Sequence, residues 1–232
     1  MKNNISYRCH RFPPEIIQYA VWLYSKFTLS YRDIEDLLSE RDLDISYETV
    51  RRWVNKFGTD YAKRIRSNRT AVDTTWHLDE MVVVISGRKY WLWRAVDGEG
   101  EVLEFLVQSR RNRRAALRLF SKLLRKRKIQ PRTIVTDKLR SYGAALKSLQ
   151  IDVDHQQGIH RNNRAENSHL PVRRRERKMQ RFKSPGSAQR FLNLHAYVYN
   201  LFNIQRHLTT RETMKLFRAE AMDQWKQVVA AG

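Results

Sequence analysis

Cysteine is almost absent. The 232-residue chain carries one, Cys9, which excludes an internal disulfide and a cysteine-rich zinc site and points to a reducing compartment. Long apolar runs are missing too. The longest, such as Met81–Ile85, fall far short of a bilayer span, so no membrane partner is expected. Pro13 and Pro14 interrupt the N-terminal region before apolar residues accumulate, so no secretory leader is expected and the expected location is cytoplasmic. Acids are scarce: 24 Asp and Glu stand against 45 Lys and Arg, a net charge of +21. A chain this basic seeks a polyanion, with nucleic acid ahead of an anionic membrane surface. It is not a disordered basic tail, because 41% hydrophobic and 11% aromatic residues suffice for a packed core.

What is present divides by periodicity. Residues 1–57 read as three helices. Pro14 suits the first position of a helix running to about Phe27, with Ile16, Ile17, Ala20, Leu23 and Tyr24 as its stripe. Ser30 and Asp33 form a capping-box signature for the second helix. Ser46 caps the third, whose buried face is Val50, Trp53, Val54 and Phe57. Residues 58–72 are polar, basic and without clear period, and read as a linker. Residues 73–209 then read as a catalytic domain, and 210–232 as a C-terminal tail. Within 73–209, three β runs (Leu78–Ser86, Lys89–Ala95, Val102–Gln108) joined by tight turns predict an antiparallel meander. A helix over Asn112–Arg127, a strand at Thr133–Thr136, a helix near 139–149, a strand at Ile151–Val153 and helices near Asn163–Lys178 and 187–207 follow. That order predicts an α/β fold, a mixed sheet flanked by helices behind an N-terminal three-helix domain.

Two helices joined across the short break at 41–45 make a helix-turn-helix, whose second helix enters the major groove. Its exposed face would hold Tyr47, Arg51, Arg52, Asn55 and Lys56, with Arg and Asn suited to base edges and Lys to phosphate. The alternative is an ordinary helical hairpin with a solvated face. Asp42 stands where such turns commonly have glycine, and Asp tolerates the left-handed conformation better than most residues.

Against so basic a background three acids stand out. Asp79 lies at the start of the first β run, Asp137 ends the strand TIVT, and Glu166 opens a helix. Three convergent carboxylates can hold two divalent cations, which clamp the attacking and leaving oxygens of a phosphoryl displacement. A lone Asp after a strand is more often a turn former. Glu80 points to the opposite strand face from Asp79 and is set aside as a decoy. Arg161, Arg164, Arg173, Arg174 and Arg175 flank Glu166 in sequence. Glu166 and Arg173, seven residues apart, share a face if the helix passes Pro171 without a kink. Between Glu104 and Asp137 there are eleven Lys or Arg and no acid, beginning with Arg110, Arg111, Arg113 and Arg114. Such one-sidedness suits phosphate contacts. His155, His160 and His169 lack paired cysteines, which disfavours a zinc-binding domain.

SYRDIEDLLSER…SYETVRRWV, WHLDEMVVVISGRKYWLWRAVD, VTDKLRSYGAAL and HRNNRAENSHLPVRRRERKMQRFKS together resemble the DDE transposases of bacterial insertion sequences, within the insertion sequence six family. The resemblance implies a ribonuclease H-like core with Asp79, Asp137 and Glu166 as catalytic, metal-holding acids and Arg173 as the basic residue that follows the Glu. It also implies two Mg²⁺ or Mn²⁺ ions and double-stranded DNA, both element ends and target, as substrate. A homodimer or larger assembly on DNA is implied as well, nucleoid-associated in a prokaryotic cell. Its chemistry would be metal-dependent nicking and strand transfer that form a cointegrate. The interval from Asp137 to Glu166, 29 residues, is short for the family. Two alternatives stay open: a DNA-binding regulator or inactive relic, and a ribonuclease H-like nuclease without strand transfer.

Overall fold

The structure, a computed structural model, describes residues 5–68, 73–127, 130–158, 162–204 and 209–230. They form two compact units, one from Met1–Arg69 with Asn193–Gly232 and the other from Thr70–Leu192. The first unit begins with α1 (Pro14–Lys26), α2 (Tyr31–Ser39) and α3 (Tyr47–Ser67). The caps fall where the sequence places them. Asp33 N–H donates to Ser30 Oγ at 3.1 Å, Ser30 N–H donates to Asp33 Oδ2 at 2.8 Å, and Thr49 N–H donates to Ser46 Oγ at 3.3 Å. Asp42 takes the left-handed conformation, φ 56°, that the turn between α2 and α3 requires.

Two expectations are corrected here. Residues 58–67, expected within a linker, are the C-terminal half of α3. The buried stripe Val50, Trp53 and Phe57 continues through Tyr61 and Ile65 at helical spacing. Gly58 allows a close approach there, since a Cβ on it would lie 2.9 Å from Leu194 Cδ2. The segment expected as a tail is α8 (Arg211–Val229), which buries Ala221, Trp225, Val228 and Val229. Trp225 meets Tyr61 edge-on at 5.4 Å, and Tyr7 Oη donates to Val229 O at 2.6 Å. The helix belongs to the unit's core. The second half of α7 (Pro185–Phe202) adds Leu194, Tyr197, Val198 and Phe202 to it.

The second unit holds five strands in the order β3-β2-β1-β4-β5. β1 (Thr75–Ile85), β2 (Arg88–Asp97) and β3 (Val102–Gln108) form the antiparallel meander. Ser86 and Gly87, both with positive φ (49° and 76°), make the first tight turn, as a two-residue hairpin loop demands. α4 (Arg113–Arg127) crosses to β4 (Thr133–Thr136), parallel to β1, and α5 (Arg140–Leu149) crosses to β5 (Asp154–Gln157), parallel to β4. This mixed order with helical crossovers is the ribonuclease H-like α/β arrangement. The last strand lies three residues later than expected. Gln150 ends α5 in the left-handed conformation, φ 52°, and Ile151 N–H closes back on Leu146 O, so Ile151 and Val153 pack as the helix exit. Trp76, Leu78, Trp93, Ala95, Phe120 and Tyr142 are all fully buried in the core between sheet, α4 and α5. α6 (Asn163–Lys178) runs unbroken through Pro171.

Candidate active site

Strand register does most of the positioning. The parallel pairing of β1 with β4 ends at Leu78 opposite Thr136. The next residue on each chain is an aspartate, Asp79 and Asp137, so the two meet where the ladder stops. One oxygen from each of Asp79, Glu80 and Asp137 lies within 4.8 Å of the others. Glu166 is exposed in the first turn of α6, and its carboxylate is outside that group among the described residues.

The pleat sends neighbours Asp79 and Glu80 to opposite faces. Asp79 Oδ2 lies 3.1 Å from His169 Nε2, three residues beyond Glu166 on α6. Burial draws the His169 pKa down, opposed by its hydrogen bond to Asp79. Glu80, with no side-chain exposure, has both oxygens engaged. Tyr142 Oη donates to Oε2 at 2.7 Å, and Arg111 donates to Oε1 through Nε at 2.6 Å, with Nη2 at 2.5 Å. Burial pushes the Glu80 pKa up against the pull of those two donors, and burial, then Glu80, raises that of Tyr142. Asp137 Oδ1 accepts from Leu139 N–H at 2.9 Å, and Oδ2 from Arg111 Nη2 at 3.4 Å. The start of α6 is tied to the same strand, since buried Asn162 donates Nδ2–H to Leu78 O at 2.8 Å. Glu80 being sealed, Asp79 and Asp137 are the accessible oxygen donors of this group, and such a carboxylate pair suits a hard divalent cation such as Mg²⁺ or Mn²⁺.

The sequence singles out Asp79 and Asp137, offers Arg111 only as one of many phosphate contacts, and leaves Glu80 and His169 outside the site. Glu80 was set aside, though an acid that alternation turns toward the apolar face of a core strand needs a buried partner. Arg111 was one of many cations, and His169 was weighed only as a zinc ligand.

An open groove of about 740 Å³ is lined by Val82, Val84, Arg173, Glu176, Arg177, Gln180 and Arg181. Arg173 lies in it and pairs with Glu176 at 3.4 Å. Arg175 departs from its expected place on a DNA surface. It is 2% exposed, with its guanidinium 5.2 Å from the Phe191 ring centroid, because its position turns it under the helix. Arg110, Arg113, Arg114 and Arg174 are exposed, and Arg164 donates to Gly98 O. Arg161 lies outside the described residues. On α3, Tyr47, Arg51, Arg52, Asn55 and Lys56 are all exposed. There Glu48 pairs with Arg51 at 2.6 Å and with Arg52 at 3.5 Å, and Arg32 stacks on Tyr47 at 4.6 Å. No described helix is long and apolar enough to cross a membrane.

A family model described as a DDE domain matches residues 73–205. The transposase for insertion sequence-like element IS431mec of Staphylococcus aureus is 28% identical over 205 residues, 86% of this chain and 90% of the relative. The transposase for insertion sequence element IS257 in transposon Tn4003, also from Staphylococcus aureus, is 27% identical over the same shares. Among solved structures, the HTLV-2 integrase catalytic core domain in complex with magnesium aligns with 59% of this chain and 91% of its own, at 14% identity and a TM-score of 0.39. The sheet order, not that distant likeness, carries the fold. Since the matched segment holds both aspartates and runs through more than half of the sequence, the chain belongs to the DDE transposases of bacterial insertion sequences, in the insertion sequence six family.

Proposed function

We propose that this transposase binds the terminal inverted repeats of its element and joins them to target DNA by two phosphoryl transfers. In the first, water attacks the phosphodiester at the element end, breaking a P–O bond and freeing a 3′-hydroxyl. In the second, that hydroxyl attacks a target phosphodiester, forming one P–O bond as another breaks, and a cointegrate results. The observation that carries this reading is the pair Asp79 and Asp137 at the end of one parallel ladder.

Asp79 and Asp137 would hold the divalent ions, two in number, with Glu166 as the third acid of the DDE order. Glu166 rides the helix that His169 anchors to Asp79. Bound Mg²⁺ or Mn²⁺ supplies Lewis-acid stabilisation of charge on the phosphoryl oxygens. Arg173 and the groove it lines would take the DNA backbone, as would Arg110, Arg111, Arg113, Arg114, Arg161, Arg164 and Arg174. Tyr47, Arg51, Arg52, Asn55 and Lys56 would read the element end from a major groove. Two ends must be paired, so the working form is a homodimer or larger assembly on DNA, in the cytoplasm and nucleoid-associated. The unit of Met1–Arg69 with Asn193–Gly232 would serve as the DNA-reading one and Thr70–Leu192 as the catalytic one.

The test is strand transfer in vitro with purified protein, Mg²⁺ or Mn²⁺, labelled element ends and a supercoiled target, beside Asp79→Asn. Joined product from wild type alone, with end binding kept in both, is the expected result. Joining by the variant at the wild-type rate refutes the site. Binding without cleavage by folded wild type makes the chain a regulator or relic. Replacing Arg51 and Arg52 by Ala is expected to weaken discrimination of element ends from random DNA in a competition assay.

A further inference from the structure

Arg111 is held unlike any other exposed cation described in this chain. Asn112 caps α4, its Oδ1 accepting from Ala115 N–H at 3.1 Å, which fixes the residue just before the helix. Arg111 Nε and Nη2 then grip Oε1 of fully buried Glu80 at 2.6 and 2.5 Å, and the guanidinium lies 5.0 Å from the Trp91 ring centroid. Nη2 also reaches Asp137 at 3.4 Å, whereas Nη1 has no partner among the described residues and the side chain keeps 37% exposure. One edge of the fork is thus pinned inside the protein and the other is presented to solvent beside the acids. A surface ion pair with a mobile arginine would leave none of these restraints. The site holds three carboxylates within 4.8 Å, and its substrate adds an anionic phosphodiester. A fixed donor edge there stabilises the charge that gathers on the non-bridging oxygens as phosphorus becomes five-coordinate.

We propose that Arg111 is a catalytic residue whose free Nη1 edge contacts the non-bridging oxygens of the scissile phosphate, and that Glu80 is the positioning residue that aims it. This rests on the strand-transfer function proposed above. Arg111 neither gives nor takes a proton. Its donor hydrogens bind the phosphoryl oxygens through the transfer, while Glu80 holds the opposite edge of the fork.

The test is single-turnover strand transfer on nicked element ends, with either an ordinary or a neutral methylphosphonate linkage at the attacked position of the target. On the ordinary linkage Arg111→Ala is expected to slow joining about a hundredfold, the usual cost of losing one preorganised donor to a developing oxyanion. Mn²⁺ binding, followed by calorimetry, is expected to persist. On the neutral linkage the ratio of wild type to variant is expected to collapse toward one, which a merely structural role would not produce. Glu80→Gln is expected to give a smaller loss, and Glu80→Gln with Arg111→Ala no more than Arg111→Ala alone, because Glu80 acts through the guanidinium. Arg111→Lys keeps the ion pair but not the fork, so its expected loss also shrinks on the neutral linkage even if the alanine variant fails to fold. An equal defect on both linkages, a wild-type rate, or loss of Mn²⁺ binding in the folded variant each overturns the assignment. If wild type itself does not join DNA, the function proposed above falls first and this assignment with it.

Discussion

The two faces of β1 treat the same functional group in opposite ways. Asp79 opens toward α6, partly exposed, with His169 as its partner. Glu80, one residue on, is sealed beneath α4 and α5 with a tyrosine and an arginine on its two oxygens. Adjacent carboxylates thereby acquire different tasks. One stays open to solvent, and the other is spent on internal order. Pleating alone makes the division, since a one-residue slip would exchange them.

Swapping or removing these groups sharpens the contrast. The largest effect is expected for Asp79→Asn. If Asp79 holds metal as proposed, its loss removes several kcal/mol of transition-state stabilisation, about a thousandfold or more in strand-transfer rate. Thermal unfolding of that variant, followed by circular dichroism, is expected to match wild type closely. Glu80→Ala is expected to reverse the pattern in stability. It leaves the buried Tyr142 hydroxyl without its acceptor and frees Arg111, costing about 1–3 kcal/mol and several degrees of melting temperature. If Asp79→Asn proves the more destabilising of the two, the division between faces is wrong.

Asn162→Ala tests a third position, the tie between α6 and β1. It removes the donor to Leu78 O, with an expected cost of about 1–2 kcal/mol and a fall in joining rate that deepens the stability loss. An unchanged rate at equal stability would show that α6 is aligned by packing alone. The smallest effect is in pH dependence. Burial raises the Glu80 pKa in the folded state, so the native protein holds that proton more tightly than the unfolded chain. Its contribution is complete below the ordinary carboxylate range and is lost as pH rises through the folded value. Glu80→Gln is therefore expected to flatten the decline of chemical-denaturation stability above about pH 4.3.

Much of this was legible in the chain. Caps at Ser30 and Ser46, alternation through β1 and β2, and an acid at the end of TIVT are local signals, and local hydrogen bonding decides each. The α3 extension is hidden because residues 58–72 are polar and basic without clear period, while what holds the helix there is packing by Leu194 and Trp225 from far along the sequence. The role of Glu80 was hidden for a similar reason. Alternation gives its face, but Tyr142, 62 positions away, gives that face its meaning. β5 was misplaced because Ile151 and Val153 carry the apolar signal of a strand while serving a helix exit.

The hydrogen bond from Tyr7 to the carbonyl of Val229 spans 222 positions. Its partner Tyr61, 2.7 Å from the Tyr7 hydroxyl, packs on Trp225 of the same late helix. During synthesis from the N-terminus, α1 to α3 emerge early, yet the side of α3 that α8 covers stays bare until α8 itself has been made. The catalytic sheet, whose strands all lie between 75 and 157, can close well before that. Completion of the helical unit is thus timed by the ribosome reaching α8, and a product stopped short of it would have a finished sheet but a helical unit lacking part of its core.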